Sequence, residues 1–360
     1  MSDRSRDWSR RHFLGSAAAL AGAASFTGEL LTAGAAHGAE GSLVAAPPPG
    51  FTPLSKPGRI VQVTKGDDLA ALMQQNQLWP KPEIARAMLE KALTAFTGAG
   101  NLESALGRFI HADDVVAVKL NGIAGQSGAT MAVNFELVLP LVEGLLALGV
   151  PAGKITIYEQ FGSYMNGTRT KASKLPKGVK LGIHGNADAT MRGVQVCKGI
   201  ETKYVRFLTE ATAVINMTQM KDHSICGYTG CLKNVTHGSI TNPSKHHAHR
   251  ASPQIAELYA HDIVRSRVRL HITDAFKIIY DQGPLDKNPA RRILHGAVYV
   301  STDPVAMDVY GWGVIDRARQ ENGLKSLAAA GREPSYLRIA GEKGLGVFDL
   351  NAIKLTQVSA

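Results

Sequence analysis

The stretch of this 360-residue chain densest in reactive side chains runs from Lys221 to Arg250 and reads KDHSICGYTGCLKNVTHGSITNPSKHHAHR. Five of the twelve histidines fall in it: His223, His237, His246, His247 and His249. Neutral imidazole is a good ligand for Zn, Ni, Cu or Fe, so the stretch is a candidate metal site. His247 and His249 flank Ala248 and would face the same side of an extended chain. With His223 or His237 they would make a three-ligand site for a divalent transition metal (Zn, Ni or Fe), whose open position polarises a substrate or activates water. Two other readings use the same residues. Lys221, Lys233, Lys245, His246 and Arg250 would form an anion pocket without metal, or the stretch is an exposed loop whose histidines only hydrogen-bond. No stringent spacing such as H-E-x-x-H decides between them.

Further polar residues stand where apolar runs end: Lys119 and Asn121, Glu159, Asn216 with Lys221, and Asp274. Ligands of open α/β sheets bind at the carboxyl ends of strands, so these residues are expected to share a cleft. Asp274 is the better carboxylate candidate and would orient a lysine or a ligating imidazole. Asp303 precedes Pro304 and is explained fully as a helix N-cap. Cysteine is sparse, with Cys197, Cys226 and Cys231 only. Cys226 and Cys231 would form a disulfide locking a tight loop, a soft metal pair or two inert buried thiols; the disulfide and the inert pair are favoured. Three thiolates cannot supply the four that a cubane iron–sulfur cluster needs.

The elements that must position these groups alternate. Strands are expected at Ile60–Val63, Val115–Leu120, Lys154–Tyr158, Val179–Ile183, Ala211–Met217, Val268–Ile272 and Ala297–Ser301. Helices are expected at Pro82–Thr97, Phe135–Leu148, Pro253–Val264 and Asp303–Gln320. This order predicts an α/β fold with a mainly parallel sheet flanked by helices, in one large unit of one or two lobes. There is no GxGxxG fingerprint and no phosphate loop of the G-x-x-x-x-G-K-[ST] type.

The N-terminus carries an address. Arg10 and Arg11 directly precede an apolar, alanine-rich run from Gly15 to Phe26, and small residues follow at Ala33–Ala39. Residues 1–39 are therefore expected to be a twin-arginine signal peptide, which makes the twin-arginine (Tat) export machinery a partner and the periplasm, or another extracytoplasmic space, the place of action. Residues 40–58 are rich in Pro, Gly and Ser and are expected to be a flexible linker or irregular arm, with the α/β domain at 59–360. The net charge is +10, from 40 Lys+Arg against 30 Asp+Glu. Charges of the leader cancel, so the remainder keeps this surplus, which suits an anionic ligand. Nucleic acid is a poor candidate: no dense Lys/Arg block, zinc finger or aromatic ribbon occurs.

The segment INMTQMKDHSICGYTGCLKNVTHGSI resembles the central signature of the DUF362 family, through Asn216, Lys221, His223, Thr229, Gly230, Lys233, Asn234 and Gly238. Lys119-Leu120-Asn121, Asp274 with Gln282-Gly283-Pro284, and Ser301–Ala306 with Asp308 resemble its flanking motifs. The resemblance covers roughly residues 110–312. Some members of that family carry a cysteine-rich ferredoxin-like segment, which this chain lacks. More loosely, the basic, histidine-rich cleft resembles lactate racemase, a nickel-cofactor enzyme, at the level of fold alone. Together these features lead to an expected enzyme with catalytic Lys119, Lys221, His223 and Asp274. Asn121, Asn216, Lys233 and Asn234 would bind a cofactor, and His223, His237, His247 and His249 would hold a metal. Its substrate would be an anionic small molecule. The alternatives are a non-catalytic metal- or anion-binding protein, or a subunit that docks on a redox or structural protein partner.

Overall fold

The apolar run that opens at Ala213 becomes the middle strand of a large sheet. The computed structural model describes residues 43–123, 131–189, 193–197 and 199–360. The expected leader, with Arg10 and Arg11, lies outside the described residues. The strands in chain order are β1 (Arg59–Thr64), β2 (Val116–Lys119), β3 (Ile155–Glu159), β4 (Lys180–Ile183), β5 (Val194–Val196), β6 (Ile200–Thr202), β7 (Ala213–His223), β8 (Gly227–Thr229), β9 (Val268–Ile279), β10 (Arg292–Ser301) and β11 (Lys354–Ser359). The main sheet runs β11-β1-β10-β9-β7-β2-β3-β4, with β8 folded back on β7, while β5 and β6 pair separately. Strands β4, β3, β2, β7 and β9 are parallel, as are β1 and β11. β10 is antiparallel to β9 and β1. The fold is thus the mainly parallel α/β sheet expected, and Val44–Ala360 forms one compact unit.

Alternation along β7 separates core from site. Ala213, Ile215 and Met217 face a core shared with the helices Pro82–Thr97 and Phe135–Ala147. Each such fully buried large side chain contributes roughly 1.5–3 kcal/mol. Asn216 faces the other way and reaches the short helix Cys231–His237. Several boundaries fall as local chemistry dictates. Pro82 opens its helix and Gly98 closes it in the left-handed region, at φ 84°. Asp303 caps the helix Pro304–Glu321 by accepting from the Ala306 N–H at 2.9 Å.

Three expectations are corrected. β7 does not stop at Met217 but continues to His223, and β9 runs past Ile272 to Ile279. The added residues include Thr218, Gln219, Lys221 and Asp274, all buried although polar, so hydropathy gives them no mark. The helix expected over Pro253–Val264 is two, Ser252–Ala260 and Asp262–Arg265. It breaks at His261, whose backbone is extended and whose side chain caps the Ile263 N–H. Cys226 and Cys231 are free buried thiols, so of the two favoured readings the disulfide falls and the inert pair stands. The Cys226 Sγ lies 3.3 Å from the Tyr228 carbonyl, and burial pushes both thiols up in pKa.

Residues 44–58 hold no strand or helix, and their backbone is tied to the domain. The Leu54 N–H donates to the Arg108 carbonyl at 2.7 Å, and the Gly58 N–H to Asp303 Oδ2 at 2.8 Å. Among the described residues no helix is long and apolar enough to cross a membrane.

Candidate functional site

From β2 the chain moves outward through β3 and β4, then returns to place β7 on the opposite side of β2. The boundary between β2 and β7 is therefore a topological switch point, where open α/β sheets hold ligands. Lys119 and Asn216 are register partners across it. A cavity of about 300 Å³ lies at this point, walled by the ends of β2, β3 and β7 and by the helix Cys231–His237. Of the residues expected to share a cleft, Lys119, Asn121, His223, Lys233 and Asn234 line it, together with His237 and His247. Lys221, Asn216 and Asp274 are fully buried and are not part of the lining. His249 is exposed and does not join them.

The floor is a directional chain of amides. The Lys221 ammonium can only donate, and it gives hydrogen bonds to Asn121 Oδ1 at 2.7 Å and the Met131 carbonyl at 2.6 Å. This fixes the Asn121 amide, whose Nδ2 donates to Asn234 Oδ1 at 3.1 Å. Asn234 Nδ2 then donates to Asn216 Oδ1 at 2.7 Å and to the Met217 carbonyl at 3.1 Å. Asn216 Nδ2 closes the chain on the Cys231 carbonyl at 2.9 Å. β7 and the helix Cys231–His237 are thereby locked to the end of β2. Burial pushes Lys221 down to about 7, against the pull of Asp286, Glu159 and Asp274. Asp274 has a different task from the one expected. Its Oδ2 accepts from the backbone N–H of Asn134 at 2.7 Å and from its Nδ2 at 2.8 Å, fixing the residue that opens the helix Phe135–Ala147.

Two lysines line the cavity in different states. Lys119 is bound to the Glu159 carboxylate and to the Leu120 carbonyl, so its charge is matched. Gly238 packs against it: a Cβ there would stand 2.4 Å from Lys119 Cε, so only glycine lets the two chains approach. Lys233 is 6% exposed and, among the described residues, its ammonium has neither a hydrogen-bond partner nor a counter-ion. Burial lowers its pKa, and Lys119 adds to that while Cys226 opposes it. Thr229, four residues earlier, also lines the cavity, and its buried Oγ1 has no partner. Unpaired buried polar groups cost of the order of 1–3 kcal/mol or more, so they mark a place where a ligand completes the structure.

Backbone contacts fix the imidazoles. His223 Nδ1 accepts from the N–H groups of Ile225 at 3.1 Å and Cys226 at 3.3 Å, so its single proton sits on Nε2. His247 does the reverse: Nδ1–H donates to the Pro243 carbonyl at 2.8 Å, which leaves Nε2 an acceptor. Their rings lie nearly parallel, with centroids 6.1 Å apart. His237 donates Nε2–H to the His246 carbonyl at 3.1 Å. Burial holds His223 and His237 well below the usual histidine range and His247 at about 4, with Lys233 adding to each. All three are neutral at pH 7.

These donors do not fit the three-histidine metal site that the sequence suggested. The ring nitrogens of His223 are spent, one accepting from backbone and the other protonated. His237 Nε2 is engaged by a carbonyl, and its Nδ1 lies 3.2 Å from Thr236 Oγ1. The segment Pro243–Ala251 is a 3-10 turn rather than an extended strand, and His249 sits in the left-handed region at φ 51°. His247 and His249 therefore do not project together. Among the described residues, no group of three His, Cys, Asp or Glu side chains is arranged to hold a metal ion. The alternative anion set is also reduced to one member in the cavity. Lys245 and Arg250 are exposed, His246 turns to Thr202 Oγ1 at 2.7 Å, and Lys221 lies beneath the floor. Gln160, Phe161, Tyr164 and Asn186 complete the wall and were not singled out in the sequence. Gln160 follows Glu159 at the end of β3, so the strand-end rule that marks Glu159 marks it too.

No curated protein matches the sequence. Among solved structures, the chain is similar to the lactate racemase apoprotein from Thermoanaerobacterium thermosaccharolyticum, at 10% identity and a TM-score of 0.35. That likeness covers 68% of this chain and 54% of the other. A Thermotoga maritima protein from structural genomics is similar at 12% identity and a TM-score of 0.38, over 73% of this chain and 59% of that one. The chain thus spans little more than half the length of either. The family relation rests on sequence: residues 116–313, which hold β2, the floor asparagines, Lys233 and the cap Asp303, match the profile described as a domain of unknown function, DUF362, and the chain belongs to that family.

Proposed function

We propose that the protein binds an anionic small molecule at the β2/β7 switch point, where neutral His223 donates a hydrogen bond to it and neutral His247 is placed to accept a proton from it. The observation that carries this reading is the Lys233 ammonium, buried, lining the cavity and without a counter-ion among the described residues. An anion there would supply the missing partner in a place where water competes poorly. The opposite tautomers of His223 and His247 support the second half. One ring presents Nε2–H as a hydrogen-bond donor, the other an Nε2 lone pair as a base. The donor set described above favours a reaction without a histidine-held metal. Arg10 and Arg11 before an apolar run support action outside the cytoplasm after export by the twin-arginine route.

Native mass spectrometry of the exported, untagged protein tests the reading directly, because it reports leader cleavage, bound anion and metal in one spectrum. An anion-sized mass that is retained by the wild type and absent from Lys233→Gln supports it. Stoichiometric zinc, nickel or iron that disappears in His247→Ala would overturn the metal-free version. Anion binding with no exchange of substrate C–H protons in deuterated buffer would leave a binding protein in place of an enzyme.

A further inference from the structure

We infer that the ligand of this cavity is a monoanion, a small monocarboxylate, and that Thr229 and Lys233 together receive its charged end. This rests on the anion-binding reading above and narrows it by counting charge. Among the described residues that line the cavity, the amine and carboxyl side chains are Lys119, Lys233 and Glu159. Lys119 and Glu159 are bound to each other and cancel. The three lining histidines are neutral at pH 7 because burial holds each of them below the usual histidine range. Among the described residues, the one formal charge of the lining left without a partner is therefore that of Lys233.

A buried charge must be matched closely, because any excess of either sign stays desolvated without compensation. One carboxylate neutralises Lys233. A phosphate ester or a dicarboxylate would bring about twice that charge and leave the remainder facing the carbonyls and the Glu159 carboxylate. The donors also suit a carboxylate. Its two oxygens need an ammonium and a hydroxyl or N–H, and Lys233, Thr229 and His223 supply groups of these kinds, the Thr229 hydroxyl without a partner among the described residues. Ile123, Phe161 and Pro284 give the lining an apolar part, and about 300 Å³ of space holds a short chain or a single ring.

The test is isothermal titration of the mature wild-type protein with acetate, propionate, butyrate and benzoate, against succinate, inorganic phosphate and sulfate at equal ionic strength. The best monocarboxylate is expected to bind about tenfold or more tighter than any dianion, with Lys233→Gln and Thr229→Val each weakening it about tenfold or more. Tighter binding of phosphate or succinate that still requires Lys233 would overturn the monoanion assignment while leaving the anion site in place. Anion binding that is indifferent to Lys233→Gln, or no anion binding at all, would remove both. Circular dichroism of each variant confirms its fold, and the wild-type selectivity decides the question even where a variant fails to fold.

Discussion

Lys221 makes the stability of this protein depend on pH in a window where few other groups act. Its ammonium is fully buried on two neutral oxygens, and burial lowers it from 10.5 to about 7. That change corresponds to about 5 kcal/mol against folding with the amine charged. Below pH 7 both folded and unfolded chains carry the proton and the cost is complete. Above pH 7 the folded chain sheds it while the unfolded chain keeps it to about 10.4, so stability rises with pH. Lys221→Met keeps the shape and removes the titration. It leaves Asn121 Oδ1 and the Met131 carbonyl without a donor, a pH-independent loss of about 1–3 kcal/mol. The buried thiols Cys226 and Cys231 act in the opposite sense above about pH 8.5, where the unfolded chain loses their protons, but equally in both proteins. Urea unfolding of wild type and variant at half-unit steps from pH 7 to 8.5 isolates the lysine. The wild type is expected to gain about 1.5–2 kcal/mol on the variant across that range. Parallel curves would refute the reasoning, because they would mean that Lys221 holds its proton throughout.

Glu159→Leu strands the Lys119 ammonium in the interior and is expected to cost about 3–5 kcal/mol in urea unfolding. The double variant Lys119→Met/Glu159→Leu should recover most of that, and a single-variant cost below about 1 kcal/mol would show that the pair is not buried as described. Asp303 accepts from the N–H groups of Ala306, Gly58 and Val347 at 2.8–2.9 Å, joining a helix start to two distant segments. Asp303→Ala should therefore cost at least about 2 kcal/mol, more than loss of a simple cap, and a change within experimental error would contradict the three-way contact.

The sheet was legible because its inner strands are apolar on both faces: Val116–Val118 and Ala213–Met217 announce themselves by composition. The site was legible as residue types but not as roles. Strand-end position grouped Lys119, Asn121 and Glu159, which line one cavity. It could not separate Lys221 from Lys233, because the difference lies in what each ammonium meets, and those partners come from residues up to 100 positions away. The histidine reading failed for a similar reason. His247 and His249 would pair on an extended chain, but the turn over Pro243–Ala251 sends them apart. Tautomers were wholly hidden, since they depend on the N–H groups of Ile225 and Cys226 and the carbonyl of Pro243.

The three lysines then form a graded series whose partners state their purpose. Lys221 is answered by neutral oxygens, Lys119 by a carboxylate, and Lys233 by nothing among the described residues. The first two hold the end of β2 to β3 and β7, so removing either should weaken the fold. In the ligand-free protein Lys233 holds an amine away from water with no partner among the described residues, and burial lowers its pKa. Replacing such a charge with an apolar group of similar size is neutral or stabilising, by about 1–4 kcal/mol in comparable cases. Lys233→Met is thus expected to unfold at equal or higher urea concentration than the wild type in anion-free buffer, while losing the stabilisation that a bound carboxylate gives the wild type. A residue that destabilises its own fold and is needed only when ligand is present is a functional residue by a physical criterion. Loss of more than about 1 kcal/mol in anion-free buffer would place Lys233 with Lys119 and Lys221 as a structural cation, and the anion site would have to be sought elsewhere.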